Sequence, residues 1–520
     1  AMLSGCRVGP DYDRPAARLH KTWIEAGSPA FPRDQEAITD WWTVFNDPVL
    51  NRLVTIAYAQ NLDLESTGLR VIQARSARGI AVGEFFPQEQ AVNGDLSRSA
   101  SSRNESGPDD DRYLSSLGIG LDAAWELDFW GKFRRGIETQ DALLLASVAE
   151  YDDVLVSLIA EVALTYVDIR TTERRLELAR SNVAAQQSSL DIADVRFRNG
   201  ATTELDVAEA RSTLASTQAA IPSLESDLRS AKLAMCVLLG EPPSLLESEL
   251  QGSVGIPTAP PEIAIGAPAE LLRRRPDVRL AERIAAAQSA QIGVAVADLY
   301  PSISVTGSTG FATSTVGPPI GSSADLDDIF DARSFTGFIG LDVNWPILNY
   351  GRIRNNIRVE DAAYQEAVAN YRAVVLEAAA EVEDAIYGFL RSREELAFLE
   401  ESATAAERAL DLATTQYAEG SVDFVRVNDA NAFLTEQQDT AALGQGAIAE
   451  QLILAFKALG GGWESRVGSE FVPAATADEM QARTEYGSIL APDYSEGQRR
   501  LFVPPGEQDE TYLDAGEPNE

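Results

Sequence analysis

Between Asp141 and Gly240 the apolar positions recur at helical spacing, with one break at Phe197-Arg198-Asn199-Gly200. Val154, Leu155, Leu158, Ile159, Val162, Tyr166 and Ile169 mark the apolar face, and neither Pro nor Gly interrupts Ile137 to Asn199. The pattern therefore predicts one very long helix before the break and a second behind it. At 1.5 Å per residue, about sixty residues span about 90 Å and the roughly forty that follow about 60 Å. No ordinary globular core is that long. Helices of such length belong to coiled coils, membrane spans or helical arrays. A membrane span is excluded by Glu150, Asp152, Asp153, Glu161, Asp168 and Glu173.

The break recurs. A shift of 220 positions carries Trp125 onto Trp345, Gly131 onto Gly351, Gly200 onto Gly420 and Leu239-Gly240 onto Leu459-Gly460 without a gap. A fixed offset held over such a distance is an internal duplication. Upstream, Asn51 to Val82 reads as helix before Phe85-Phe86-Pro87, and Glu270 to Val296 reads the same way before Leu299-Tyr300-Pro301, with an offset of about 214.

After each proline the period drops to two. Ile303, Val305 and Phe311 alternate with Ser302, Ser304, Thr306 and Ser308. The expected partner strand holds Phe335, Ile339, Leu341, Val343 and Trp345 on one parity and Thr336, Asp342 and Asn344 on the other. Leu117, Ile119, Leu121, Ala123, Trp125 and Leu127 repeat that pattern. Polar segments at 101–112 and 315–333, with Asp109-Asp110-Asp111 and Asp325, Asp327 and Asp328, read as exposed hairpin tips.

Each repeat thus runs helix, strand, loop, strand, long helix, turn, helix. Four strands are too few to close a barrel, so closure needs oligomerisation. Two-faced strands flanked by Trp125, Trp130 and Trp345 resemble outer-membrane barrel segments with interfacial aromatics; a soluble sandwich edge is the competing reading. The division expected is a leader and surface strap at 1–50, a first repeat at 51–250, a linker at 251–265, a second repeat at 266–463 and an acidic, mostly irregular tail at 464–520. Trp41 and Trp42 are expected to anchor the strap by packing.

Composition narrows the function. The formal charge of -37, from 80 acidic and 43 basic residues, disfavours nucleic acid or an anionic lipid surface as partner of the bulk of the chain. The single histidine, His20, leaves neither a histidine acid–base system nor a histidine metal site, so no metal is expected. Two cysteines make no disulfide framework; Cys236 reads as buried packing, and Cys6 follows small residues in Leu3-Ser4-Gly5-Cys6. That is the pattern at which bacterial lipoprotein precursors are cut and the cysteine acylated.

Four runs together resemble the TolC-like outer-membrane efflux factors, in the lipoprotein branch serving resistance-nodulation-division pumps. They are Cys6-Arg7-Val8-Gly9-Pro10-Asp11-Tyr12, Trp125-Glu126-Leu127-Asp128-Phe129-Trp130-Gly131, Leu271-Leu272-Arg273-Arg274-Arg275-Pro276-Asp277, and Lys457-Ala458-Leu459-Gly460-Gly461-Gly462-Trp463. The resemblance covers Cys6 to about Trp463 and leaves out the acidic tail. It implies a mainly helical homotrimer whose twelve strands form one outer-membrane β-barrel, continued by a periplasmic α-barrel of twelve helices. The implied function is a passive exit duct, taking substrates from an inner-membrane resistance-nodulation-division transporter through a periplasmic adaptor, the membrane fusion protein. No cofactor is implied beyond a covalent lipid on Cys6.

The resemblance also assigns sites. The turns at Gly200 and Gly420 become periplasmic tips, where Arg198, Asn199, Ala201, Thr202, Glu419, Ser421 and Val422 meet the adaptor. The run Tyr417 to Ala430 resembles the segment that narrows the tunnel, with Val425 and Asp429 as its apolar and acidic rings and Arg426 and Tyr417 beside them. Relatives often carry Arg before the aromatic residue of this turn, as Arg196 precedes Phe197; Gln416 precedes Tyr417, so an ion pair from Gln416 is excluded. Two other functions compete. One is an acidic coiled-coil envelope scaffold without channel activity. The other is an enzyme using a carboxylate pair such as Glu381, Glu383 and Asp384 or Asp325, Asp327 and Asp328, although charge runs usually mark solvated faces.

Overall fold

The computed structural model describes residues 7–17, 19–20, 22–25, 39–102, 104, 113–243, 246–252, 255–260, 273–314, 326–466 and 468–491. Cys6, Asp109-Asp110-Asp111, Asp325, Leu271-Leu272 and the tail from 492 onward lie outside the described residues.

The elements are α1 (Pro48–Gln60), α2 (Leu62–Phe85), β1 (Glu89–Ala100), β2 (Tyr113–Glu126), α3 (Lys132–Arg198), α4 (Glu204–Leu238), a single turn α5 (Leu246–Glu249), α6 (Pro276–Ala297), β3 (Ser302–Ser314), β4 (Phe335–Asn344), α7 (Arg352–Ala418), α8 (Phe424–Ala458) and α9 (Ala474–Arg483). The duplication is carried into the bounds. Helices α3 and α7 are both 67 residues long and α4 and α8 both 35, each pair offset by 220.

Three expectations change. The helix expected from Asn51 to Val82 is two helices, because Asn61 leaves helical geometry (ψ 125°) and turns its Oδ1 to accept from Leu64 N at 2.9 Å. Capping of this kind starts a new helix in a new direction. The helix expected from Glu270 breaks at Arg275, since Pro276 at the head of α6 holds the preceding residue away from helical backbone. The third change is in the tail, where 474–490 is ordered: α9 and the turn Gly487–Leu490 lay Met480, Ala477, Tyr486, Ile489 and Leu490, with Val472, on Leu69 and Ile72 of α2. Composition hides this docking, because the apolar residues are sparse and matched to a partner 400 positions away. Gly68 makes room for it; a Cβ there would stand 1.9 Å from the Phe471 carbonyl oxygen.

The chain divides into two compact units. The first takes the described residues of Ala1–Ala16, Gln73–Ala146 and Ala281–Tyr371. It holds an antiparallel sheet in the order β1-β2-β3-β4. Arg135, almost wholly buried, pins the start of the strap by donating to the Val8 carbonyl at 3.1 Å and pairing with Asp11 at 2.9 Å and Glu138 at 2.8 Å.

The second unit takes the described residues of Ala17–Ile72, Ser147–Leu280 and Arg372–Glu520. Its core is Leu50, Leu53, Leu155, Ile159, Tyr166, Leu452 and Ile453, all essentially inaccessible. Trp41 stacks on Phe456 at 5.3 Å, and Trp42 meets Trp41 edge-on, which gives the strap its expected anchor. Two buried carboxylates are matched here. Asp47 caps α1 through Val49 N and accepts from the Tyr166 hydroxyl at 2.6 Å, and Asp152 faces both Arg279 and Arg466. Cys236 is buried, as its sequence context predicts.

Candidate functional site

The sheet has two chemically different faces. Its register sets Ile119 opposite Phe311, Trp125 opposite Val305, Val305 opposite Leu341, Ile303 opposite Val343, and Val92 opposite Leu121. Large apolar side chains therefore share one face, yet they are not packed under protein: Ile339 is 81% exposed and Val92 73%. An unpacked apolar sheet face of this extent marks a surface that meets another apolar phase. The opposite face is polar, with Asn93 bonded to Asp122, Ser97 to Ser116 and Thr306 to Asp342. Both outer strands, β1 and β4, are long open edges.

At one end of the sheet the tryptophans are fixed in parallel ways. Trp125 Nε1 donates to Phe85 O at 3.2 Å and Trp345 Nε1 to Leu299 O at 3.1 Å, so the two repeats use the same bond.

The other candidate region is the pair of helix turns. Gly200 (φ 68°) and Gly420 (φ 79°) both take the left-handed conformation. Ala201 N reaches Arg196 O at 2.8 Å and Ser421 N reaches Gln416 O at 2.9 Å, closing both long helices with the same six-residue cap. Arg198, Asn199, Gly200, Ala201, Glu419, Gly420 and Ser421 are exposed, whereas Thr202 and Val422 are half-buried.

Beneath the turns, Ala193, Val207, Ala210, Tyr417, Phe424 and Val427 form a buried cluster shared by both hairpins. Tyr417, placed by the resemblance beside the narrowing rings, is 2% exposed and packed edge-to-face on Phe424 at 5.2 Å. Burial raises its hydroxyl pKa above the ordinary value, and the neighbouring Asp206 carboxylate adds to the rise. The Tyr417 hydroxyl lies 3.3 Å from Asp206 Oδ2.

Arg196 does what no local pattern announces. Its guanidinium crosses from the first hairpin to the second, donates to Tyr417 O at 2.5 Å and to Ala418 O at 3.3 Å, and stands 4.6 Å over the Tyr417 ring. The only sequence signal was its place before Phe197, mirrored by Gln416 before Tyr417. Further along, Ser189 with Asn431, Gln186 with Thr435 and Arg175 with Asp439 (2.7 Å) form a polar link between α3 and α8.

Val425, 47% exposed, and Asp429 and Arg426, both exposed, lie on the opposite side of α8 from buried Phe424 and Val427. Residues four apart share a helix face, so Val425 and Asp429 stand one turn above each other. Among the described residues neither Asp429 nor Arg426 makes an ion pair within the chain.

A cavity of about 200 Å³ in the second unit is lined by Asp153, Arg275, Asp277, Glu381 and Lys457. Arg275 pairs with Asp277 at 2.8 Å and Glu381 at 2.7 Å and donates to Ala458 O. Burial pushes the Asp153 carboxyl up to about 6, and the charges of Asp277 and Glu381 reinforce the shift against Arg275 and Lys457. Among the described residues no group of three or more His, Cys, Asp or Glu is placed to hold a metal ion, and no helix is long and apolar enough to cross a membrane.

Comparison with known proteins bears on both regions. The family profile described as Outer membrane efflux protein matches residues 53–241 and 267–461, one match to each repeat. Nodulation protein T of Rhizobium leguminosarum bv. trifolii is 30% identical over 85% of this chain and 91% of its own. Outer membrane protein OprJ of Pseudomonas aeruginosa is 32% identical over 89% of this chain and 94% of its own. The solved structure of the outer-membrane channel OprN superposes with a TM-score of 0.80 at 31% identity, over 88% of this chain and 100% of that one.

Proposed function

The chain belongs to the outer membrane efflux protein family, and from that premise we propose how this outer-membrane efflux channel is assembled, fed and closed. It acts as a homotrimer, in which three four-stranded sheets close into one twelve-stranded barrel. The observation that carries this is the open sheet whose apolar face is exposed while its opposite face is polar. In lipid, each unpaired edge group costs several kcal/mol, so β1 and β4 need partners that one chain lacks. The duplicated 67-residue helices supply the length of a periplasmic duct. The family is one of transport channels rather than enzymes, and no described residue is assigned a chemical step.

Exported compounds enter from an inner-membrane resistance-nodulation-division transporter through a periplasmic adaptor docked on the turns around Gly200 and Gly420. Their exposure and shared cap support this. Cys6 carries lipid, as Leu3-Ser4-Gly5-Cys6 suggests; one acyl chain anchors only marginally, so the barrel remains the main hold on the membrane. Mass spectrometry of membrane-extracted protein should find an acylated Cys6 at the mature N-terminus. An unmodified terminus beginning upstream excludes the lipid.

The gate is formed by Val425 and Asp429, with Arg426 beside them. Three Asp429 carboxylates brought together repel while ionised, and cations relieve that repulsion. The purified protein in planar bilayers should conduct ions, and Asp429→Ala should raise resting conductance and weaken block by divalent cations, with Glu377→Ala as the neutral control. Absence of conductance would refute the duct. Identical conductance and cation block in wild type and Asp429→Ala would remove Asp429 from the gate.

A further inference from the structure

The duplication provides a template for a contact that one chain cannot complete. Where β2 runs into α3, the chain meets the approach to β3 through four interactions. Leu127 N donates to Ile303 O at 2.8 Å, Trp130 stacks on Tyr300 at 4.6 Å, Trp130 Nε1 donates to Pro301 O at 2.9 Å, and Lys132 pairs with Asp298 at 2.9 Å.

The matching tryptophan bonds, Trp125 to Phe85 and Trp345 to Leu299, fix which positions correspond. Trp130 and Lys132 are matched by Tyr350 and Arg352, and Asp298, Tyr300 and Pro301 by Glu84, Phe86 and Pro87. The residue types correspond in both sets, a ring for each ring, a cation for each cation and an acid for each acid. The first set meets because β2 and β3 are neighbours in the sheet; the second follows β4 and precedes β1, which are its two outer strands.

In the single chain the two halves of the second set do not meet, and the Phe86 ring lies edge-on to that of its chain neighbour Phe85 at 5.9 Å. Tyr350 is 98% exposed in a left-handed backbone (φ 49°) unusual for a bulky residue, with Ile347 and Leu348 exposed beside it. Phe86, Glu84 and Arg352 are exposed as well, and among the described residues Glu84 and Arg352 form no ion pair.

We propose that Tyr350 and Arg352 of one copy dock on Phe86 and Glu84 of a second copy of this chain, repeating between subunits the Trp130–Tyr300 stack and the Lys132–Asp298 pair. The proposal rests on the oligomeric channel described above and names the residues that join its subunits below the strands. An interfacial aromatic belt facing lipid is the alternative occupant.

The test uses the full chain in detergent with Cys6→Ser and Cys236→Ser. A short bis-maleimide should convert the Glu84→Cys, Arg352→Cys double variant into covalent dimers and trimers, whereas each single variant should stay uncrosslinked. Separately, Arg352→Glu sets two acids face to face and should weaken assembly about fivefold per interface at low salt, and adding Glu84→Arg should restore it. Trimeric native mass without crosslinking, or with charge reversal and no rescue, overturns this interface and leaves the channel reading standing. A monomeric native mass under all conditions refutes the oligomeric reading and this interface with it.

Discussion

Replacing Arg196 by alanine should unlatch the two hairpins at their turns. Arg196 belongs to the first repeat and the residues it binds, Tyr417 and Ala418, to the second, so the contact must break if the hairpins separate. A hydrogen bond to a charged donor contributes about 1.5–3 kcal/mol. A cation over an aromatic face adds about 0.5–1 kcal/mol at a partly exposed site. With Arg196 only half-buried, the lower ends apply, and about 2–3 kcal/mol is lost. At 1.4 kcal/mol per tenfold, the closed-to-open ratio should fall roughly thirty- to a hundredfold. Tyr417→Phe keeps the ring, the carbonyl and the stack, and removes only the hydroxyl with its hydrogen bonds to Asp206 (3.3 Å) and Thr202, so it should cost about 1 kcal/mol or less. Single-channel recording in planar bilayers reads both as open probability. Equal open probability in wild type and Arg196→Ala would refute the latch, and a larger effect from Tyr417→Phe would transfer it to Asp206.

Two further outcomes follow from the same structure. Asp153, raised from an ordinary 3.8 to about 6 by burial, lowers stability at neutral pH, because the unfolded chain gives up this proton first; the cost is absent below about 4, builds as pH rises from about 4 to about 6, and is constant above that. Asp153→Asn should therefore stabilise the protein by about 2 kcal/mol at pH 7.5 and by almost nothing at pH 4, allowing for partial solvent screening, and denaturation followed by helical circular dichroism at both values checks the sign. Gly420→Val forces a β-branched residue into φ 79° and should destabilise the turn by about 1–2 kcal/mol or more, visible as faster proteolysis near residue 420; unchanged cleavage would argue against the left-handed cap.

The repeat was legible in the sequence because helical and strand periods are local. Val154 to Ile169 declare a helix face, and Leu117 to Trp125 a strand face, without reference to anything distant. The turns were legible for the same reason, since Gly200 and Gly420 lie where left-handed backbone is cheapest. Even the exposed apolar face follows from strand parity once the strands are placed.

What the tertiary structure decided were meetings between segments with no shared local signal. Tyr417 carries the same letter whether it lines an opening or fills a core, and only the approach of Ala193, Val207 and Phe424 makes it buried. Arg196 becomes a bridge because α3 ends beside a turn 220 residues later. Met480 and Ile489 read as stray apolar residues until Leu69 and Ile72 of α2 stand against them. Periodicity belongs to one stretch of chain, whereas burial and pairing belong to two, and the second partner is chosen by how long helices from separate repeats come to lie side by side.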